Sequence, residues 1–93
     1  MVKLKMATNF DIEKFDGKID FNLWQVRMKA LLVQKGLSKA LDEALLATLE
    51  ESQKTEIMEK GHSTIQLYLS DEVLRKVEKE DTASKLWLKL ENL

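Results

Sequence analysis

The alternation of apolar and polar residues along this chain predicts helices almost throughout. Trp24, Met28, Leu31 and Leu32 recur at i, i+4, i+7 and i+8, which places them on one stripe of a helix from about Asn22 to Lys35. Asp20 or Asn22 can cap its start by accepting from free backbone N–H groups, and Gly36 supplies the left-handed residue that commonly closes a helix. Ser38 is placed to cap a short second turn through Ala40 and Leu41. Helical patterning resumes from about Glu43 to Leu69, in one piece or two. Leu45, Leu46 and Leu49 form one apolar group, and Ile57, Ile65, Tyr68 and Leu69 form another. Between them Glu50–Glu56 has no aliphatic residue and reads as a loop or an exposed helical turn.

Ser70 offers a further N-cap, with Asp71 and Glu72 at the positive end of a helix that carries Val73, Leu74 and Val77. The charged stretch Glu78–Asp81 ends it. Asp81 or Thr82 then caps a last helix in which Ala83, Leu86, Trp87, Leu90 and Leu93 repeat at helical spacing. With no C-cap glycine or polar tail after it, the chain is expected to be cut off inside a domain. Residues 1–20 read as an irregular leader anchored by Phe10, Ile12 and Phe15, with Asp16-Gly17 as a turn. Alternation across Phe10–Glu13 suggests a short extended stretch there. The expected organisation is a leader over 1–20 and an all-α helical region over 21–93.

Composition agrees with that pattern. Ninety-three residues make one small domain, without proline and with three glycines, so helices can run wherever the pattern allows. Gly61 stands inside a helical stretch, either to permit close packing or simply tolerated at a cost of about 1 kcal/mol relative to alanine. Acids and bases nearly cancel, at 16 against 15, so the chain lacks the basic excess that marks most nucleic-acid binders. The charge is unevenly spread all the same. Phe21–Gly36 holds Arg27, Lys29 and Lys35 and no acid, whereas Ser38–Thr64 holds six acids and three bases. The two segments are expected to complement each other within one fold, with an Arg27/Lys29/Lys35 face touching RNA as the weaker reading.

The inventory for chemistry is thin. Cysteine is absent, which removes disulfides, thiol catalysis and thiolate zinc sites. His62 is the lone histidine, and its neighbour Ser63 would point away from it on a helix. There is no aspartic-protease triplet and no glycine-rich phosphate loop. The acid pairs Asp42-Glu43, Glu50-Glu51 and Asp71-Glu72 read as solvated faces. No catalytic, cofactor-binding or metal-ligating residue is expected, nor a small-molecule substrate. No apolar run reaches the roughly 18 residues of a membrane span, so a cytoplasmic protein without membrane contact is expected. Trp24 and Trp87 each sit on the apolar stripe of their own helix, which favours packing inside the fold or between subunits.

Three blocks carry a family resemblance. Phe15-Asp16-Gly17-Lys18, followed by Leu23-Trp24, Arg27-Met28 and Ala30-Leu31-Leu32-Val33-Gln34-Lys35-Gly36-Leu37, resembles the opening of Gag polyproteins of copia-type LTR retrotransposons, especially those of plants. His62–Leu74 is similar to that family's AxxxIxLxLxDxVL helix and turn. Thr82–Leu93 is similar to its TAxxLWxxLExLY helix. The blocks span Phe10 to Leu93 in the family's order and spacing, and Met6-Ala7-Thr8 resembles the usual family start. Gly61 departs from the pattern, standing where an alanine-like helix former is common. The family's downstream capsid helices, Cys/His zinc knuckle and enzymes have no counterpart in the 93 residues.

The resemblance implies an all-α, capsid-like bundle of four or five short helices that self-associates toward virus-like particles. Trp24, Met28, Leu31, Leu32, Ile65, Leu69, Leu74, Leu86, Trp87 and Leu90 would hold the bundle or its subunit contacts. Expected partners are further copies of the chain or other Gag copies, with weak, nonspecific nucleic-acid contact through Arg27, Lys29 and Lys35 as a lesser expectation. A host-retained interaction module that binds full-length Gag, or acts as a helical adaptor, is the alternative.

Overall fold

The structure, a computed structural model, describes residues 12–93. Phe10 and the residues before it, including the Met6-Ala7-Thr8 block, lie outside that range, so the extended stretch expected across Phe10–Glu13 is described only at Ile12 and Glu13, which have no regular structure. Among the described residues the fold is all-α, as expected. Helix α1 spans Phe21–Gln34, a 3₁₀ turn spans Ser38–Leu41, and α2 is the single turn Glu43–Leu46. Helices α3 (Glu51–Leu67), α4 (Asp71–Val77) and α5 (Ala83–Glu91) follow.

Each boundary has a local cause. The Asp20 carboxylate accepts from the N–H groups of Asn22 (2.9 Å) and Leu23 (3.3 Å), satisfying donors that the first turn of α1 leaves free. At the other end Gly36 adopts φ +72°. Its N–H donates to the Val33 carbonyl, and the Leu37 N–H donates to the Leu32 carbonyl at 2.7 Å. This is the paired closure of a Schellman motif, with buried Leu37 folding back on the core. Asp42 caps α2, Ser70 caps α4 through the Val73 N–H, and Thr82 caps α5 through the Lys85 N–H.

Several expectations are refined. Ser38 makes no capping bond and lies inside the 3₁₀ turn, whose start is fixed by the Ala40 N–H donating to the Leu37 carbonyl. Glu51–Glu56 belongs to α3 as an exposed helical turn, and the break falls earlier, over 47–50. Of the Leu45, Leu46 and Leu49 group only Leu46 is buried, because one turn of helix can present only one residue inward. Helix α3 stops at Leu67, before Leu69, because the backbone there is engaged elsewhere. The Phe15 N–H donates to the Tyr68 carbonyl (2.8 Å) and the Ser70 N–H to the Phe15 carbonyl (3.0 Å), an isolated parallel bridge. The leader thus reaches the core, and Phe15 is buried in it.

The 3₁₀ turn packs against α1, α3 and α5 and sits at the centre of the bundle. That position explains Gly61. A Cβ built on Gly61 would overlap the Ala40 Cβ and touch the Ala83 Cβ. Small residues on three elements let them approach closely, so the glycine is required for packing. Gly61→Ala should therefore destabilise by about 1–3 kcal/mol through overpacking, although alanine is the better helix former by about 1 kcal/mol. The double variant Gly61→Ala with Ala40→Gly should recover most of the loss. Chemical denaturation of both variants checks this; a more stable Gly61→Ala protein would contradict it.

Candidate functional site

Among the described residues the distinctive features are an aromatic-lined core and the apolar residues left outside it. In the core, Phe15 meets Phe21 edge-on at 5.1 Å between ring centroids and Trp24 at 5.6 Å. Phe21 stacks on Trp24 at 5.8 Å, and Trp24 stacks on Trp87 at the same distance. Pairs at these separations contribute about 0.5–1.5 kcal/mol beyond the area they bury. The Lys29 ammonium lies 5.8 Å from the Trp87 ring centroid, covering its outer face by a cation–π contact. Beside it Gln25 Nε2 donates to Glu91 at 2.9 Å, a second link between α1 and α5.

Nine of the ten packing residues expected from the sequence are buried in this one core. They are Trp24, Met28, Leu31, Leu32, Ile65, Leu69, Leu86, Trp87 and Leu90, while Leu74 is half-buried against it. Ala40, Val73, Val77 and Ala83 join them. Trp24 is 2% exposed, and its indole N–H has no hydrogen-bond acceptor among the described residues. The ring's burial must offset that desolvated donor. A half-open cleft of about 130 Å³ lies alongside, between Ile12, Ile19, Leu23, Trp24 and Arg27.

The polar residues singled out from the sequence have structural partners. His62 is half-buried, and its Nε2–H donates to the Glu80 carbonyl at 2.8 Å, tying α3 to the connection before α5. Ser63 Oγ donates to the Lys60 carbonyl at 3.2 Å and does not meet the imidazole. Arg27, Lys29 and Lys35 are all exposed but do not gather on one face. At 3.6 residues per turn, Arg27 and Lys29 point to nearly opposite sides of α1, and Lys35 is its C-cap. Among the described residues no helix is long and apolar enough to cross a membrane.

What sequence reasoning missed is on the outside of the same helix. Leu23, Val26 and Val33 are 50%, 64% and 59% exposed, opposite the Trp24 stripe. Their spacing was a signal, but a weak one, since the stronger inward stripe occupies the same segment.

The chain is 38% identical over 89 residues to the retrovirus-related Pol polyprotein from transposon TNT 1-94 of Nicotiana tabacum, a match that covers 94% of this chain. It spans 7% of the length of that polyprotein. No family model matches the chain, and no solved structure matches it. The chain is thus related to a retrotransposon polyprotein over nearly all of its length.

The turn that seats Phe15 is closed by a carboxylate. Asp16 Oδ1 accepts from the N–H groups of Lys18 (2.8 Å) and Ile19 (3.1 Å), and these bonds hold its carboxyl below the usual carboxylate range. Because the folded value is depressed, the stabilisation is present above the unfolded value, about 3.9, and is lost as pH falls through the folded one. Asp16→Asn keeps an acceptor at the turn and removes the titration. Urea midpoints measured from neutral pH downward should fall less steeply below about pH 4 in the variant. Equal acid sensitivity of the two proteins would mean that the turn contributes nothing.

Proposed function

We propose that this chain is a structural, capsid-like Gag segment of a copia-type retrotransposon, whose helical unit associates with other copies of itself toward particle assembly. The observation that carries the reading is the 38% identity with the tobacco transposon polyprotein along 94% of the chain. The Phe15-Asp16-Gly17-Lys18, Leu23-Trp24 and Leu86-Trp87 blocks that resemble copia-type Gag support it. They are also the residues that build the fold: Phe15, Trp24, Leu86 and Trp87 are all buried.

The chemistry of the described residues suits a building block. His62 is engaged by a backbone carbonyl, the Asp16, Asp20 and Asp42 carboxylates are occupied by backbone N–H groups, and Glu56 is paired with Lys60. A unit of this kind has surfaces to offer, and it works without cofactor, metal or small-molecule substrate. Contact with RNA is at most weak and nonspecific in this reading, because Arg27, Lys29 and Lys35 are dispersed around α1.

Sedimentation velocity over about 10 µM to 1 mM tests the proposal, a range in which weak self-contacts become populated. The weight-average mass should rise with concentration. A monomer across the whole range would overturn the reading.

A further inference from the structure

Helix α1 is apolar on two opposite sides. The inner side is the Trp24 stripe; the outer side carries Leu23, Val26 and Val33, with exposed Ala30 between them. Their i, i+3, i+7 and i+10 spacing aligns them in one ridge, the seam that one helix presents to another. Single exposed aliphatics are ordinary on a protein surface, but four in register on one helix form a patch. Its borders are one-sided in charge: Arg27 flanks one edge, Lys29 the other, and α1 contains no acid.

The complementary chemistry stands on the segment 42–51. Asp42, Glu43, Glu50 and Glu51 enclose Leu45, which is 45% exposed, together with exposed Ala44 and Ala47, and the segment contains no base. It begins directly after the 3₁₀ turn, against which the inner side of α1 packs. The outer ridge of the same copy faces the other way, so the two surfaces do not satisfy each other within one chain.

We infer that the α1 ridge of one copy seats the acidic-bordered segment 42–51 of a second copy, joining copies head to tail; this rests on the self-association reading above. Two α1 ridges packed on each other would oppose Arg27 and Lys29 with their own equivalents, and α1 itself supplies no carboxylate to separate them. The segment 42–51 offers aliphatic side chains to the ridge and the Glu50 and Glu51 carboxylates to its borders, while Asp42 caps α2 and Glu43 accepts from Ser84. A contact of this kind leaves every copy with one free ridge and one free segment, so it propagates into rings or open chains rather than stopping at a dimer. Because its borders are ionic, it weakens as salt is raised.

Two variants separate the possibilities. Val26→Asp with Val33→Asp spoils the ridge; Leu45→Ser with Glu50→Gln spoils the segment without giving it charges that would pair with those aspartates. All four positions are exposed, so both proteins should keep the wild-type far-UV spectrum and cooperative melt. If the aspartate pair fails that check, Val26→Ser with Val33→Ser replaces it. Sedimentation should show each variant associating about tenfold or more weakly than the unaltered chain. An equimolar mixture should form one-to-one heterodimers and nothing larger, since an intact segment on one protein meets an intact ridge on the other. A segment variant that associates like the unaltered chain points to ridge-on-ridge pairing and overturns the inference. So does a mixture that stays monomeric while the unaltered chain assembles. An unaltered chain that never assembles removes both this contact and the reading beneath it.

Discussion

The stack of Trp24 on Trp87 is the contact on which the rest of the structure depends. It joins the first long helix to the last, so it closes the bundle across almost the whole helical region. Such a non-local contact is entropically demanding, because a long loop must close before it forms. Large flat rings meet that demand well, since each buries much area with few torsions to freeze. Phe15 and Phe21 extend the stack on one side, and Lys29 shields Trp87 on the other. Beside it α3 lies across the 3₁₀ turn, an approach possible only because Gly61 and Ala40 carry so little side chain where they meet.

How much of this was legible in the sequence follows from what each signal encodes. Helices α1 and α5 could be read directly because the inward stripes of Trp24 and Trp87 repeat at the helical period. Helix ends could be read too, since Asp20 and Gly36 bounding α1, Ser70 before α4 and Thr82 before α5 are residue types whose side chains or backbones favour those positions. The segment 43–49 was misjudged because three leucines close in sequence look like one cluster. A single turn cannot point them all the same way, and only Leu46 is buried. Phe15 could be read as an anchor of the leader, but its docking place could not, because its partners, Tyr68 and Ser70, are distant in sequence and reached through the backbone. Gly61 presented two readings, and only the position of Ala40 could choose between them.

The outer ridge of α1 shows the same limit from the functional side. Two stripes on one helix blur each other's periodicity, so the inner stripe, which folds the chain, masks the outer one, which folding does not require. That asymmetry is informative. The residues resembling copia-type Gag include both faces: Trp24, Met28 and Leu31 for the core, and Leu23, Ala30 and Val33 for the ridge. The identity with a tobacco transposon polyprotein runs through nearly the whole chain, so it covers the part that folds and the part left exposed alike.

The central claim is that pairing α1 with α5 through the two tryptophans closes the bundle as one cooperative unit. Trp87→Ala tests it most directly, followed by thermal unfolding read at once from helix content and from the fluorescence of the remaining Trp24. Truncating a buried tryptophan costs about 3–5 kcal/mol, comparable to the whole stability of a small domain. The account predicts that both signals lose their cooperative transition together and that Trp24 emission shifts to that of a solvated indole. A variant that still melts sharply, with Trp24 buried and the helix content of α1 through α4 intact, would contradict it.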